Sequence, residues 1–176
     1  MVEERSKRKL RAILSADVEG YSRLMGENEA ATVQTLKSYR AVMASHIQKY
    51  QGRVVDSPGD NLLAEFSSVI DALECAVKIQ RELKVKNSEL PEKSRMKFRI
   101  GVNIGDVIED EERIYGDGVN IAARVESLAD GGGICISGNT YDQIGKKLPL
   151  GFEYLGEQTV KNIERPIRVY KVLTDS

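Results

Sequence analysis

The chain is poor in the residue types that many enzymes depend on. It has one histidine, His46, on a predicted helix and with no cysteine or histidine beside it. Zinc sites need clustered ligands and hydrolytic triads need a placed imidazole, so both chemistries are argued against. Its two cysteines, Cys75 and Cys135, lie inside the apolar segments "LECAV" and "GGICIS". That setting predicts reduced core thiols rather than a disulfide, and a cytoplasmic location with them. No apolar run approaches the ~20 residues of a membrane span, and no signal peptide precedes the first strand. Neither sign of charge dominates: 26 Lys and Arg stand against 27 Asp and Glu, a formal net charge of −1. A general affinity for nucleic acid or anionic membrane is therefore not expected.

What is present is ordinary for one soluble globular domain. The chain has 176 residues, 41% hydrophobic and 30% charged, enough to bury a core. The reading is a basic segment at 1–9 and a single domain at 10–173, without repeats or low-complexity linkers. "KRKLRAILSADV" is basic, then apolar, and predicts a buried strand ending at Asp17. "EAATVQTLKSYRAVMASHIQKY" carries Val33, Leu36, Val42 and Ile47 at helical spacing, with Gly52 as its stop. "RVVD" and "NLLAEF" flank a Pro-Gly turn and predict a hairpin. "SVIDALECAVKIQRELKVKN" predicts a second amphipathic helix, closed by Pro91. "MKFRIGVNIGDVIE" reads as a strand, and "IYGDGVNIAARVESLA" as strand end, turn and helix. "GGGICIS" is a short buried strand, "NTYDQI" a helical turn, and "FEYLGEQTV" with "RPIRVYKV" a terminal antiparallel pair. The order places the chain in the α+β class, with a ferredoxin-like βαββαβ core and extra C-terminal strands.

Two carboxylates fall at strand ends followed by turns, Asp17 in "SADVEGYS" and Asp60 in "SPGDN". In this topology the first strand and the hairpin turn are neighbours, so the two side chains can converge. With a backbone carbonyl such as that of Val18 they would offer an oxygen site for Mg²⁺ or Mn²⁺. Taken singly, each aspartate also reads as a plain turn residue. "GDGVNIAARVE" places Asn120 and Arg124 four apart, hence on one helix face, where an amide and a guanidinium can hold a ribose and a phosphate. A solvated helix face is the bland alternative. Lys161, in "TVKNIERP", is a candidate phosphate partner that would otherwise pass as a surface lysine.

"ILSADVEGYSRLM", "SPGDNLLAEF", "RIGVNIGDV" and "IYGDGVNIAARVE", in that order, resemble the catalytic domain of class III nucleotide cyclases from about residue 10 to 172. The resemblance implies a homodimer with active sites at its interface. There a nucleoside triphosphate becomes a 3′,5′-cyclic monophosphate and pyrophosphate. It further implies two metal ions on Asp17 and Asp60, ribose orientation by Asn120, stabilisation of the α-phosphate by Arg124 and triphosphate binding by Lys161. The alternatives are a guanylate or adenylate cyclase, or a degenerate cyclase-like module that binds nucleotide or only dimerises.

Adenylate cyclases read the base with a lysine three residues before the glycine of the "GD" turn and an aspartate just before the "IYG"-like motif. Here those positions hold Asp56 and Arg113, so donor and acceptor are exchanged. A carboxylate only accepts hydrogen bonds and a guanidinium only donates them. Uracil and guanine offer the matching imide N–H and keto oxygen, whereas adenine and cytosine offer the reverse. A bulky arginine leaves less room for a second ring, which favours UTP. The compact form resembles stand-alone pyrimidine cyclases of bacterial anti-phage signalling. A mutual Asp56–Arg113 pair is the competing reading. A second phosphate-binding arginine of many members is missing, its turn being the acidic "EDEE". Arg53 is a possible substitute.

Overall fold

The computed structural model describes residues 7–111 and 113–174. Most of the basic N-terminal segment, and Glu112 of the acidic turn, lie outside them. Strand β1 (Lys7–Val18) forms where its basic-then-apolar pattern predicts and runs one residue past the expected end at Asp17. A short helix α1 (Tyr21–Glu27), which the sequence pattern did not announce, leads into α2 (Glu29–Lys49) through Asn28, whose side chain accepts a hydrogen bond from the Ala31 amide. The buried stripe of α2 is Leu36, Tyr39, Met43 and Ile47. Val33, expected on that stripe, is 42% exposed, because it falls one position past Thr32, which takes the inward place.

Helix α2 closes in a Schellman pattern. The Gly52 amide donates to Ile47 and the Gln51 amide to Gln48, at 2.8 and 3.1 Å. The left-handed residue is Gln51 (φ 66°), not the expected Gly52. Gly52 is needed for another reason: a Cβ there would stand 2.4 Å from the Phe66 ring. The hairpin β2 (Arg53–Asp56) and β3 (Leu62–Phe66) follows, then α3 (Val69–Ser88), capped by Ser68. Next come β4 (Phe98–Asp110), β5 (Arg113–Tyr115) and α4 (Asp117–Glu126). The chain ends with β6 (Ile134–Ser137), α5 (Gly138–Ile144), β7 (Gly151–Gln158) and β8 (Ile167–Leu173).

The strands form one sheet in the order β2-β3-β1-β4-β6-β8-β7, with β5 pairing to β4. Its first four members are the ferredoxin-like core, antiparallel throughout, and β6 joins parallel to β4. Helices α2 and α3 cover one face, where Leu14, Ala64, Phe66, Phe98 and Ile100 meet Met43, Leu73 and Ile79 in the main core. The other face carries α4, packed through Ala122 on Ile13 and Val107 and through Val125 on Cys135 and Val169. Gly101 permits that contact, since a Cβ on it would lie 2.4 Å from the Glu126 amide nitrogen. Both cysteines are buried and free, as expected, and burial is the main cause that pushes their thiols up, Cys75 to about 12 and Cys135 to about 11. No helix among the described residues is long and apolar enough to cross a membrane.

Candidate active site

The antiparallel register places Asp17, at the C-terminal end of β1, opposite Arg99 on β4. The side chains meet as a fork: Arg99 Nε donates to one Asp17 oxygen at 2.8 Å, and Nη2 to the other at 2.5 Å. Such bidentate pairs fix orientation as well as charge, and the fork is the main cause that raises the Arg99 pKa. Beneath the pair lies Glu126, on the buried side of α4 and 6% exposed. One of its oxygens accepts from the Ser15 hydroxyl at 3.1 Å, and the other stands 3.8 Å from Arg99 Nη2. Burial, then the negative charge of Asp17, pushes the Glu126 carboxyl up to about 8.

Asp60 is drawn to the same place. Its Oδ2 accepts from the Val18 amide at 3.0 Å, so the turn carboxylate is tied to the backbone of the residue after Asp17. The turn itself is held from α2. Arg40 Nη2 donates to the carbonyls of Ser57 and Asn61, both at 3.2 Å, and also to that of Gly59. Gly59 adopts φ 58°, and the Asn61 amide closes the turn on the Pro58 carbonyl. Asp56, exposed at the end of β2, accepts from the Ser57 amide at 2.9 Å. Three aspartates therefore border one turn region at one end of the sheet. Arg53 is engaged elsewhere: with Arg11 it pairs with the buried Glu65 at 3.0 and 3.1 Å, and those two hydrogen bonds lower the Glu65 pKa against the cost of burial.

Among the described residues none of the remaining candidates is bonded to these aspartates. Arg113 is exposed at the start of β5, whose Ile114 shares an apolar cluster with Val55, next to Asp56. No ion pair joins it to Asp56 among the described residues, so the expected competing pair does not form. Asn120 and Arg124 are on the exposed side of α4, opposite Ala122, Val125 and Glu126. Lys161 lies in the connection between β7 and β8. That connection is at the sheet end opposite Asp17, because β8 runs antiparallel to β6 and β6 parallel to β4. Three inter-strand steps separate β1 from β8 in addition. One chain thus gathers Asp17, Val18, Asp60 and Asp56, and leaves Lys161 remote.

Arg99, Glu126 and Arg40 were not singled out by sequence reasoning. For Glu126 a signal existed, four residues after Ala122 on the inward face of the helix. Arg99 and Arg40 needed the strand register and the packing of α2.

The family model for the adenylate and guanylate cyclase catalytic domain matches residues 4–174. The chain belongs to that family. Among similar proteins, one of Rhizobium meliloti (strain 1021), named "Putative adenylate cyclase 3", is 40% identical over 97% of this chain. The chain spans 29% of that protein's length. A solved adenylate/guanylate cyclase/hydrolase from Silicibacter pomeroyi is 40% identical, superposes with a TM-score of 0.91, and covers 97% of this cyclase domain and 100% of its own chain. The adenylyl cyclase CyaB from P. aeruginosa, at 24% identity and a TM-score of 0.85 over 98% of each chain, has the same fold.

The oxygen donors of this cyclase domain fit a hard divalent cation. Two carboxylates and a main-chain carbonyl would make a partial shell, to be completed by water and phosphate oxygens. Among the described residues no group of three or more His, Cys, Asp or Glu is placed to hold a metal ion. The Arg99 fork uses two of the roughly four lone-pair positions of the Asp17 carboxylate, leaving the others for a metal.

Proposed function

We propose that the domain is a homodimeric nucleotide cyclase that converts a nucleoside triphosphate, UTP first and GTP second, to the 3′,5′-cyclic monophosphate and pyrophosphate. The observation that carries this reading is the bond from the Val18 amide to Asp60, which unites two strand-end carboxylates in a chain of the cyclase family. Asp17, Asp60 and the Val18 carbonyl would hold two divalent ions, Mg²⁺ or Mn²⁺. Bound there, such ions would lower the pKa of the ribose 3′-hydroxyl and neutralise charge on the triphosphate.

The chain's own groups supply the rest. The 3′-oxygen attacks the α-phosphorus, forming the cyclic ester bond while the bond to pyrophosphate breaks. Arg124 compensates charge on the α-phosphate, Asn120 orients the ribose, and Lys161 holds the departing phosphates. None of this needs a histidine base, because positioning and charge compensation dominate phosphoryl transfer. The remoteness of Lys161 from Asp17 within one chain supports sites completed by a second copy. Asp56 accepts the imide N–H of uracil or guanine, and Arg113 donates to the keto oxygen. Their exposure and lack of a mutual pair leave both free for a base. The product would act as a cytoplasmic second messenger, and likeness to the pyrimidine cyclases points to anti-phage defence. Incubation with each of four ribonucleoside triphosphates plus Mn²⁺, followed by identification of cyclic product, tests the reading. Cyclic UMP is expected. Product from none of the four would assign a regulatory module instead.

A further inference from the structure

Behind the Asp17 end of the sheet, on the α3 side, lies a cavity of about 380 Å³. Its lining includes the apolar side chains of Val77, Leu83, Met96 and Phe98, beside Gln80 and Asn87, whose amide groups are bonded within the fold. Around it stand four cations, Arg81 and Lys84 from α3 and Arg95 and Lys97 from the approach to β4. Among the described residues no acidic side chain lines it. Among the described residues none of the four makes an ion pair with a carboxylate. Arg95 Nε donates only to the Leu90 carbonyl, at 3.1 Å. A solvated basic helix face would show its charges without an apolar floor. Here, in a chain of net charge −1, cations outside any ion pair and apolar surface share one concavity of ligand size, with Glu19 and Glu92 the acidic residues nearest Arg95 and Lys97.

The cavity wall is bonded to the loop after β1. Gly131, which lines it, donates its amide proton to Glu19 Oε2 at 3.0 Å. The Glu19 amide in turn donates to the carbonyl of Lys97, another wall residue, at 2.9 Å. Glu19 follows Val18 directly and Asp17 by two positions. The wall is itself rigidly held: the Gly132 amide donates to the Phe98 carbonyl at 2.8 Å, and Gln80 Nε2 donates to the carbonyls of Phe98 and Gly133 at 2.9 Å. A Cβ at 131 would lie 2.7 Å from Glu19 Oε1 and would displace that carboxylate.

We infer that this cavity is a regulatory site for a small organic anion with an apolar body, and that its occupation adjusts the loop carrying the metal-facing residues. The charged rim selects the anion and the floor selects the body. An inorganic anion alone gains nothing from the floor. Binding stands independently of the nucleotide cyclase reading, whereas the effect on the metal rests on it.

The test uses anilinonaphthalene sulfonate as probe, titrated into metal-free, nucleotide-free protein and read by fluorescence. Saturable binding is expected, and Arg81→Glu with Lys84→Glu weakens it by about tenfold or more through charge reversal. Both positions are exposed on α3, and circular dichroism checks that the helix stands. Unchanged affinity in the double variant overturns the site. Mn²⁺ affinity is then measured by electron paramagnetic resonance with and without saturating probe. A shift of about fivefold is expected in the wild type and none in the double variant. Equal Mn²⁺ affinity overturns the link to the loop. Absence of any Mn²⁺ binding would instead count against the cyclase reading.

Discussion

At the scale of single residues, the Asp17 carboxylate is less free than a strand-end aspartate suggests. It shares Arg99 with a buried glutamate, so three ionisable groups occupy a space where metals would add charge. Glu126 is the costly member. Its folded pKa of about 8 stands above the unfolded value of 4.5, so its favourable contribution is complete below the unfolded value and is lost as pH rises through the folded one. Glu126→Gln keeps the size and a hydrogen-bond acceptor for Ser15 without the charge. In metal-free protein its Tm should exceed the wild type's increasingly from pH 5 to pH 9, with little difference at the acid end. Thermal unfolding followed across that range checks this. The proposed base-reading residues Asp56 and Arg113 give a second prediction at this scale. Asp56→Lys combined with Arg113→Asp restores the donor and acceptor that match adenine, and should move preference from UTP toward ATP. Each single change should mainly lose activity, since one partner is left unmatched. Turnover of the four nucleotides under one metal and one pH decides it.

At the scale of elements, the β2–β3 turn bears both Asp56 and Asp60, yet its main anchor comes from α2. A cation bonded to three carbonyls offsets their mutual repulsion and fixes the turn against the helix. Arg40→Ala should therefore raise the metal concentration for half-maximal activity by about fivefold or more, the equivalent of about 1 kcal/mol or more of a lost charged hydrogen-bond set, with a Tm lowered by no more than a few degrees. Equal losses at all metal concentrations would show that the turn keeps its shape without Arg40. Elements were the most legible level of the sequence. The 3.6 and 2 periods of α3 and the hairpin survive because each packs one face. Helix α1 was not legible, since seven residues containing a glycine give no period to read. Arg99 was hidden for another reason: its partner is 82 positions away, and only strand register brings the two together. The aspartates were legible because turn chemistry gives no need for two carboxylates there.

For the whole molecule, the proposed function reads the separation of Asp17 from Lys161 as a site shared between two chains. An Asp17→Ala chain and an Arg124→Ala chain, each inactive alone, should regain part of the activity when mixed and allowed to exchange. One of the two sites in the mixed dimer then has all its parts. No recovery, with exchange verified by labelled subunits, would place the whole site within one chain.

The position of β1 in the middle of the sheet bears on how the protein is made. This strand is synthesised first but is flanked by β3 and β4, and its full-length partner ends only at Asp110. On the ribosome its apolar stretch, with Ile13 and Leu14 fully buried in the finished fold, must wait for most of the chain to emerge. Such delayed long-range pairing slows folding and leaves sticky surface exposed meanwhile. The basic residues Lys7, Arg8, Lys9 and Arg11 stand beside that stretch. Charges so placed discourage neighbouring nascent chains from joining at the strand that carries Asp17.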